Sequence, residues 1–146
     1  MMKIRRTKLL RLIGKKMITL PWGVYAAPKA IVRDEDVLHE FIDIVQYREL
    51  LVASLVLTIP MAFVSVWWAP LLSLVAFYLW YAAEWFIRQL IYTVGWLLKY
   101  HRTGERKGYD MNFAYRSICF EREAYAHDHD PDYLDKRPLL NMIEYL

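Results

Sequence analysis

Residues 50–83 read LLVASLVLTIPMAFVSVWWAPLLSLVAFYLWYAA, a run of 34 residues without a charged side chain. About 20 apolar residues suffice for one transmembrane helix. The apolar character continues past Glu84 and Arg88, so residues 44–98 hold enough apolar sequence for about two spans. The sequence therefore predicts a mainly α protein built on an integral membrane helical hairpin over residues 44–98. The alternatives are two very apolar core helices and a re-entrant hairpin that does not cross the bilayer.

The turn of the predicted hairpin falls at Trp67-Trp68-Ala69-Pro70. Tryptophan favours the membrane–water interface, and proline is tolerated in the first turn of a helix. The first helix is expected to end near Val66 and to kink at Pro60. The second is expected to run from about Leu71 to Leu98.

Composition and charge limit the remaining function classes. The chain has 146 residues, which suits a single domain over 1–146, and 57% of them are hydrophobic. A single cysteine, Cys119, excludes an intrachain disulfide framework and a cysteine-based zinc finger. Seven basic and no acidic side chains lie in residues 1–16, whereas residues 109–146 form an acidic C-terminal region. Because the basic stretches flank apolar helices, they suit lipid phosphates better than nucleic acid.

The basic flanks also predict an orientation. Residues 1–16 and 99–107 are basic, and the turn between the two helices is uncharged. The positive-inside rule then places both termini in the cytoplasm and the protein in the bacterial inner membrane, with the lipid bilayer as a partner. Residues 1–16 suit either a basic amphipathic helix on anionic lipid or a solvated tail. Alternating apolar residues in 17–26 predict a short N-terminal edge strand, because Pro21 is excluded from central strands.

A polar stretch before the apolar run carries the chemistry. On a helix, His39, Asp43 and Gln46 fall on one stripe, and Glu40 lies about 100° around the axis. This is the geometry of His-Glu-x-x-His zinc helices, in which two ligands one turn apart hold the metal and the glutamate is the general base. Asp43 stands where the second histidine would be. The alternative is a solvated polar face without a site.

Three motifs in order resemble a family of small bacterial membrane-associated metallopeptidases of the zincin type. The first is His39-Glu40 with Gln46 and Glu49; the second is Tyr78-Leu79-Trp80-Tyr81 with Glu84-Trp85 and Arg88; the third is Ala114-Tyr115-Arg116 with Phe120 to Tyr125. The resemblance covers roughly residues 17–146. It implies cytoplasmic zincin-like helices, with zinc or another divalent metal bound by His39, Asp43 and Glu121 and with Glu40 as base.

The departure at Asp43 falls on a metal ligand. Aspartate can bind zinc, but its side chain is shorter than that of histidine. Together with Glu121 it would neutralise the ion, which weakens the ion as a Lewis acid. The change therefore implies weaker activity, a harder metal or an inactive relative.

Several other residues are alternative ligands or supporting groups. Glu123 is the alternative to Glu121, and His127 could replace the missing histidine. Gln46 and Glu49 could orient His39 through hydrogen bonds without binding the metal themselves. Glu84 and Arg88 form an ionisable pair inside the predicted membrane segment, which is a functional hypothesis by default.

Two functions follow from these motifs. The first is a membrane-bound, metal-dependent peptidase acting on a peptide or protein that could pair with the edge strand. The second is a catalytically inactive relative that serves as a membrane subunit or adaptor for partner membrane proteins.

Overall fold

A computed structural model of the chain describes residues 4–12, 16–20, 22–64, 66–104, 108–110 and 112–146. Parts of the basic segment, residues 1–3 and 13–15, lie outside the described residues. The elements in order are β1 (Arg5–Arg6), α1 (Leu9–Leu12), β2 (Met17–Leu20), β3 (Gly23–Ala26), α2 (Asp34–Ala62), α3 (Ala69–Leu72), α4 (Ala76–Thr103), α5 (Phe113–Arg116), α6 (Cys119–His127), α7 (Tyr133–Lys136) and a 3₁₀ helix (Asn141–Tyr145). The fold is mainly helical.

The transmembrane hairpin predicted over 44–98 is wrong. No helix in the described parts of the chain combines the length and the apolar character needed to cross a bilayer. The physical reason is that the charge-free run is shared among three helices: α2 holds only residues 50–62 of it, α3 holds 69–72 and α4 begins only at Ala76, so each long helix also contains charged residues. Beyond Ala83, α4 continues through charged residues. The predicted inner-membrane localisation and orientation lose their basis with the hairpin.

Both long helices begin and end where their local sequences favour it. Asp34, Glu35 and Asp36 form an acidic first turn of α2, which the helix dipole stabilises, and the backbone N–H of Arg33 donates to Asp36 Oδ2 at 2.8 Å. Pro60 lies in the last turn of α2. At the C-terminal end of α4, Gly104 takes the left-handed conformation (φ 66°) that commonly ends a helix.

The N-terminal region forms a small sheet with the strand order β1-β3-β2. Residues 17–26 are therefore a hairpin of two strands, and not the single edge strand predicted. β2 pairs antiparallel with β3, with Thr19 opposite Val24, while β1 pairs parallel to β3. In the basic segment, Arg5–Arg6 form a strand and Leu9–Leu12 a short helix, where either an amphipathic helix or a solvated tail was expected. β2 is thus an edge strand, and it lies beside the first half of α2.

Two apolar clusters hold α6 against the long helices. The larger includes Tyr47 of α2, Phe77 of α4 and Phe120 of α6, and the smaller joins Ile42 of α2 to Ala124 of α6. Phe120 and Ile42 are fully buried, and burying such a side chain contributes about 1.5–3 kcal/mol. Ser117 and Ile118 separate α5 from α6. The packing brings the start of α6 next to the polar half of α2.

Candidate metal centre

Three of the predicted ligands lie together between α2 and α6. His39 and Asp43 are one turn apart on α2, and Glu121 is in the first turn of α6. One ligand atom of each lies within 4.8 Å of those of the other two. His39 Nε2 and Glu121 Oε2 are 3.3 Å apart. Two ligands of a tetrahedral zinc ion, each at about 2.1 Å from the metal, would be roughly 3.4 Å apart.

The carboxylate of Glu121 is buried beside His39. Its side chain is 3% exposed, and Oε2 lies 3.3 Å from His39 Nε2 without a hydrogen bond of regular geometry. A buried carboxylate needs a partner of opposite charge, which protonated His39 or a coordinated cation can supply. One imidazole and two carboxylates are a donor set that suits a divalent metal. The residues present therefore fit a metal ion.

Electrostatics in this group reflect an excess of negative charge. Burial lowers the pKa of His39, but the carboxylates of Glu121, Asp43 and Glu40 more than offset this and raise that pKa to about 9. Burial, followed by repulsion from Glu121, raises the pKa of Asp43 well above its usual range. Whenever no cation is bound, protons on His39 and Asp43 offset the excess negative charge of the group.

Glu40 is held in place by the N-terminal hairpin. The hydroxyl of Thr19, on β2, donates a hydrogen bond to Glu40 Oε2. Burial raises the pKa of Glu40, and the bond from Thr19 partly opposes that shift. Glu40 lines the same cavity as His39, Asp43 and Glu121. A carboxylate that is fixed beside a ligand group and lines its cavity is placed to act as a base.

Tyrosines from two other elements surround Glu121. The hydroxyl of Tyr81, on α4, donates to Glu121 Oε1 at 2.8 Å. Burial, followed by the nearby charge of Glu121, raises the pKa of both Tyr81 and Tyr115, so both remain protonated donors. The hydroxyl of Tyr81 engages Oε1 and leaves Oε2 directed toward His39.

Sequence reasoning gave no role to Thr19, Tyr81, Tyr115 or Asp128. Asp128 Oδ2 lies 3.7 Å from His39 Nδ1, on the side of the ring away from Glu121. Tyr81 and Tyr115 belong to the aromatic motifs that carry the family resemblance, so those motifs contained the signal. Asp128 directly follows His127, and only His127 was considered as a ligand.

Two cavities meet at this group. The first has a volume of about 260 Å³ and is lined mainly by apolar and aromatic side chains, including Ile18, Leu20, Phe77 and Tyr78. The second has a volume of about 280 Å³, and its wall is polar, with Lys16, Glu35, Asp36 and Asp128. Both are bounded by Met17, His39, Glu40 and Tyr115.

Three of the predicted supporting residues lie in a separate buried network. Gln46 Nε2 donates to Glu123 Oε2 at 3.0 Å, and Arg137 pairs with both Glu123 and Glu49. The side chain of Glu123 is fully buried there, held also by the hydroxyl of Tyr133. These contacts join α2 to α6 and α7 and leave the orientation of His39 to other groups.

His127 is also placed away from the ligand group. Its ring stacks on Tyr133 with centroids 3.7 Å apart, and its Nε2 lies 2.7 Å from the hydroxyl of Tyr145. The residue therefore packs the C-terminal segment against α6.

Glu84 and Arg88 support the helix that carries Glu121. Arg88 Nη2 donates to Glu84 Oε1 at 2.9 Å, and the backbone N–H of Cys119 donates to the same oxygen at 3.0 Å. Cys119 is the first residue of α6, so Glu84 satisfies one of the free N–H groups at the start of that helix. Glu84 thus contacts α6 through the backbone N–H of Cys119.

Comparisons with protein-family models, with curated proteins and with solved structures each give no match.

Proposed function

We propose that this chain is a metal-dependent peptidase of the zincin type, with a divalent ion, zinc in the first place, held by His39, Asp43 and Glu121. The observation that carries the proposal is the convergence of these three side chains, whose ligand atoms all lie within 4.8 Å of one another, with Glu121 buried. Glu40 on the adjoining face of α2 is the general base.

The chain's own residues account for the proton transfers of peptide hydrolysis. A bound divalent ion would act as a Lewis acid that polarises the carbonyl of the scissile bond. Glu40 accepts a proton from the attacking water while the water oxygen bonds to the carbonyl carbon. The carbon–nitrogen bond then breaks, and Glu40 returns the proton to the leaving amine. The hydrogen bond from Thr19 keeps the carboxylate fixed during both transfers.

The donor set also bears on the choice of metal. Carboxylates favour harder cations such as Mn²⁺, whereas imidazole suits Zn²⁺. Asp43 adds a negative charge where a second histidine would be neutral, so it shifts the preference toward the harder ion. We expect Asp43→His to bind zinc more tightly than the natural chain.

The first test is metal content. We would measure zinc and manganese by elemental mass spectrometry in the purified wild-type protein, in Glu121→Gln and in Glu144→Gln, an exposed glutamate that serves as the matched control. A near-stoichiometric metal is expected in the wild type and the control and not in Glu121→Gln. Asp43→His is measured beside them, and if it alone takes up metal, the natural chain is a non-catalytic relative.

The second test is hydrolysis of a mixture of fluorogenic peptides. We expect Glu40→Gln to keep its metal and to lose cleavage by at least about a hundredfold, because general acid–base catalysis contributes typically 10²–10⁴-fold. Cleavage that survives this change would remove Glu40 from the mechanism.

A further inference from the structure

We infer that the apolar cavity beside Glu40 is a specificity pocket that accepts a large aromatic or aliphatic side chain of an extended peptide; this rests on the proposed function. The cavity holds about 260 Å³, and its apolar lining includes Ile18, Leu20 and Phe77. An apolar cavity of roughly 150 Å³ is enough to hold benzene. A phenylalanine or leucine side chain therefore fits, and an acidic side chain would be repelled by the carboxylates of Glu40, Asp43 and Glu121, which line the same cavity.

The edge strand explains why the occupant is an extended peptide. Within the described residues, β2 has β3 as its strand neighbour on one side, and the other side of β2 faces the site. All four residues of β2, Met17 to Leu20, line the apolar cavity. A peptide that lies along β2 sends alternate side chains to opposite faces, so one of them points into the cavity while its backbone passes Glu40.

The second cavity has a polar lining, so selection of a peptide side chain is expected on only one side of the scissile bond. It shares Met17, His39 and Glu40 with the apolar cavity, but its outer wall carries Lys16 and Asp36, whose charged atoms are 2.6 Å apart. A side chain in this polar, open cavity keeps its contact with water. The chain therefore discriminates strongly at the position that enters the apolar cavity and weakly at the position on the other side.

The test measures peptide binding separately from cleavage. The probes are acetyl-Ala-X-Ala-amide peptides with X as Phe, Leu, Gly or Asp, and binding to Glu40→Gln is followed by isothermal titration calorimetry. We expect the Phe and Leu peptides to bind at least about tenfold more tightly than the others, as burial of one large apolar side chain implies. Equal affinities across the series would overturn the inference.

Ile18 and Ile31 give a matched pair of variants. Ile18→Trp fills the cavity and is expected to abolish the preference for Phe, while Ile31→Trp should keep it, since Ile31 is 81% exposed and lines neither cavity. If Ile18→Trp does not fold, Ile18→Ala enlarges the same wall, and a Trp peptide should then gain affinity relative to Leu. A preference that both Ile18 variants leave unchanged would overturn the inference.

The outcomes separate this inference from the proposed function. Cleavage of all probes without an apolar preference would leave the peptidase in place and remove the pocket. An apolar preference that Ile18→Trp abolishes, in a protein without metal or cleavage, would keep the pocket and remove the peptidase.

Discussion

Arg137 is expected to be a large contributor to stability, because it is the cation between two buried carboxylates. Its side chain is 2% exposed, and those of Glu49 and Glu123 are 10% and 0% exposed. Its Nη1 lies 2.5 Å from Glu49 Oε1, while its other nitrogens bind Glu123. Arg137→Met keeps a long side chain and leaves two carboxylates buried without a cation. Breaking a buried ion pair in this way costs about 3–5 kcal/mol.

Urea unfolding followed by far-ultraviolet circular dichroism measures this loss. A domain of this kind has a free energy of unfolding of about 5–15 kcal/mol, so the variant loses a large fraction of it. With a urea dependence of about 1–3 kcal/mol per molar, the midpoint should fall by about 2 M. Adding Glu123→Gln to Arg137→Met should recover part of the loss, because it removes one of the two unpaired charges.

Lys136→Met is the matched control at the neighbouring position. Lys136 is 69% exposed, and its pair with Asp132 is also at the surface. We expect its free energy of unfolding to stay within about 0.5 kcal/mol of the wild type. If Arg137→Met costs less than about 1 kcal/mol, the network is not what holds α6 and α7 against α2, and the reasoning is refuted.

Three further substitutions test contacts around the candidate site. Glu84→Gln weakens the acceptor for the N–H of Cys119 and should lower the free energy of unfolding by about 1–3 kcal/mol in the same urea assay; a change below about 0.5 kcal/mol would contradict this. Tyr81→Phe removes the hydroxyl that donates to Glu121, and zinc affinity measured by chelator competition should fall about 10–100-fold, whereas an unchanged affinity would show that other contacts position the carboxylate. His127→Phe should leave the zinc content unchanged by elemental mass spectrometry, and a loss of zinc would make this residue a ligand.

The spacing of residues in the sequence predicted the geometry of the site where that geometry depends on a single helix. The spacing of His39 and Asp43 places them on one stripe of a helix, and the structure has them one turn apart on α2. The acidic residues Asp34, Glu35 and Asp36, which the helix dipole favours at a helix start, lie in the first turn of that helix. Such features depend on contacts within a few residues, which the sequence displays directly.

Features that depend on tertiary packing were not predictable in the same way. The charge-free run suggested two spanning helices divided at 67–70, because composition does not reveal that α2 already ends at Ala62 and that α4 begins only at Ala76. The bond from Thr19 to Glu40 requires the strand hairpin to fold back over α2. The preference for Glu121 over Glu123 rested on a motif, whereas in the structure the two face different partners because Arg137 holds Glu123.

The interface between α2 and the C-terminal segment, called the seam below, has a consequence for the order of folding. Its hydrogen bonds from Gln46 to Glu123 and from Arg137 to Glu49 join residues that are 77 and 88 positions apart in the sequence. Helices such as α2 and α4 can form from local interactions, whereas closing loops of this length has an entropic cost that only the completed seam offsets. His39 and Glu121 are therefore expected to meet late in folding. A chain still being synthesised holds two of the three side chains of the candidate metal centre, and Glu121 joins them only when α6 has docked.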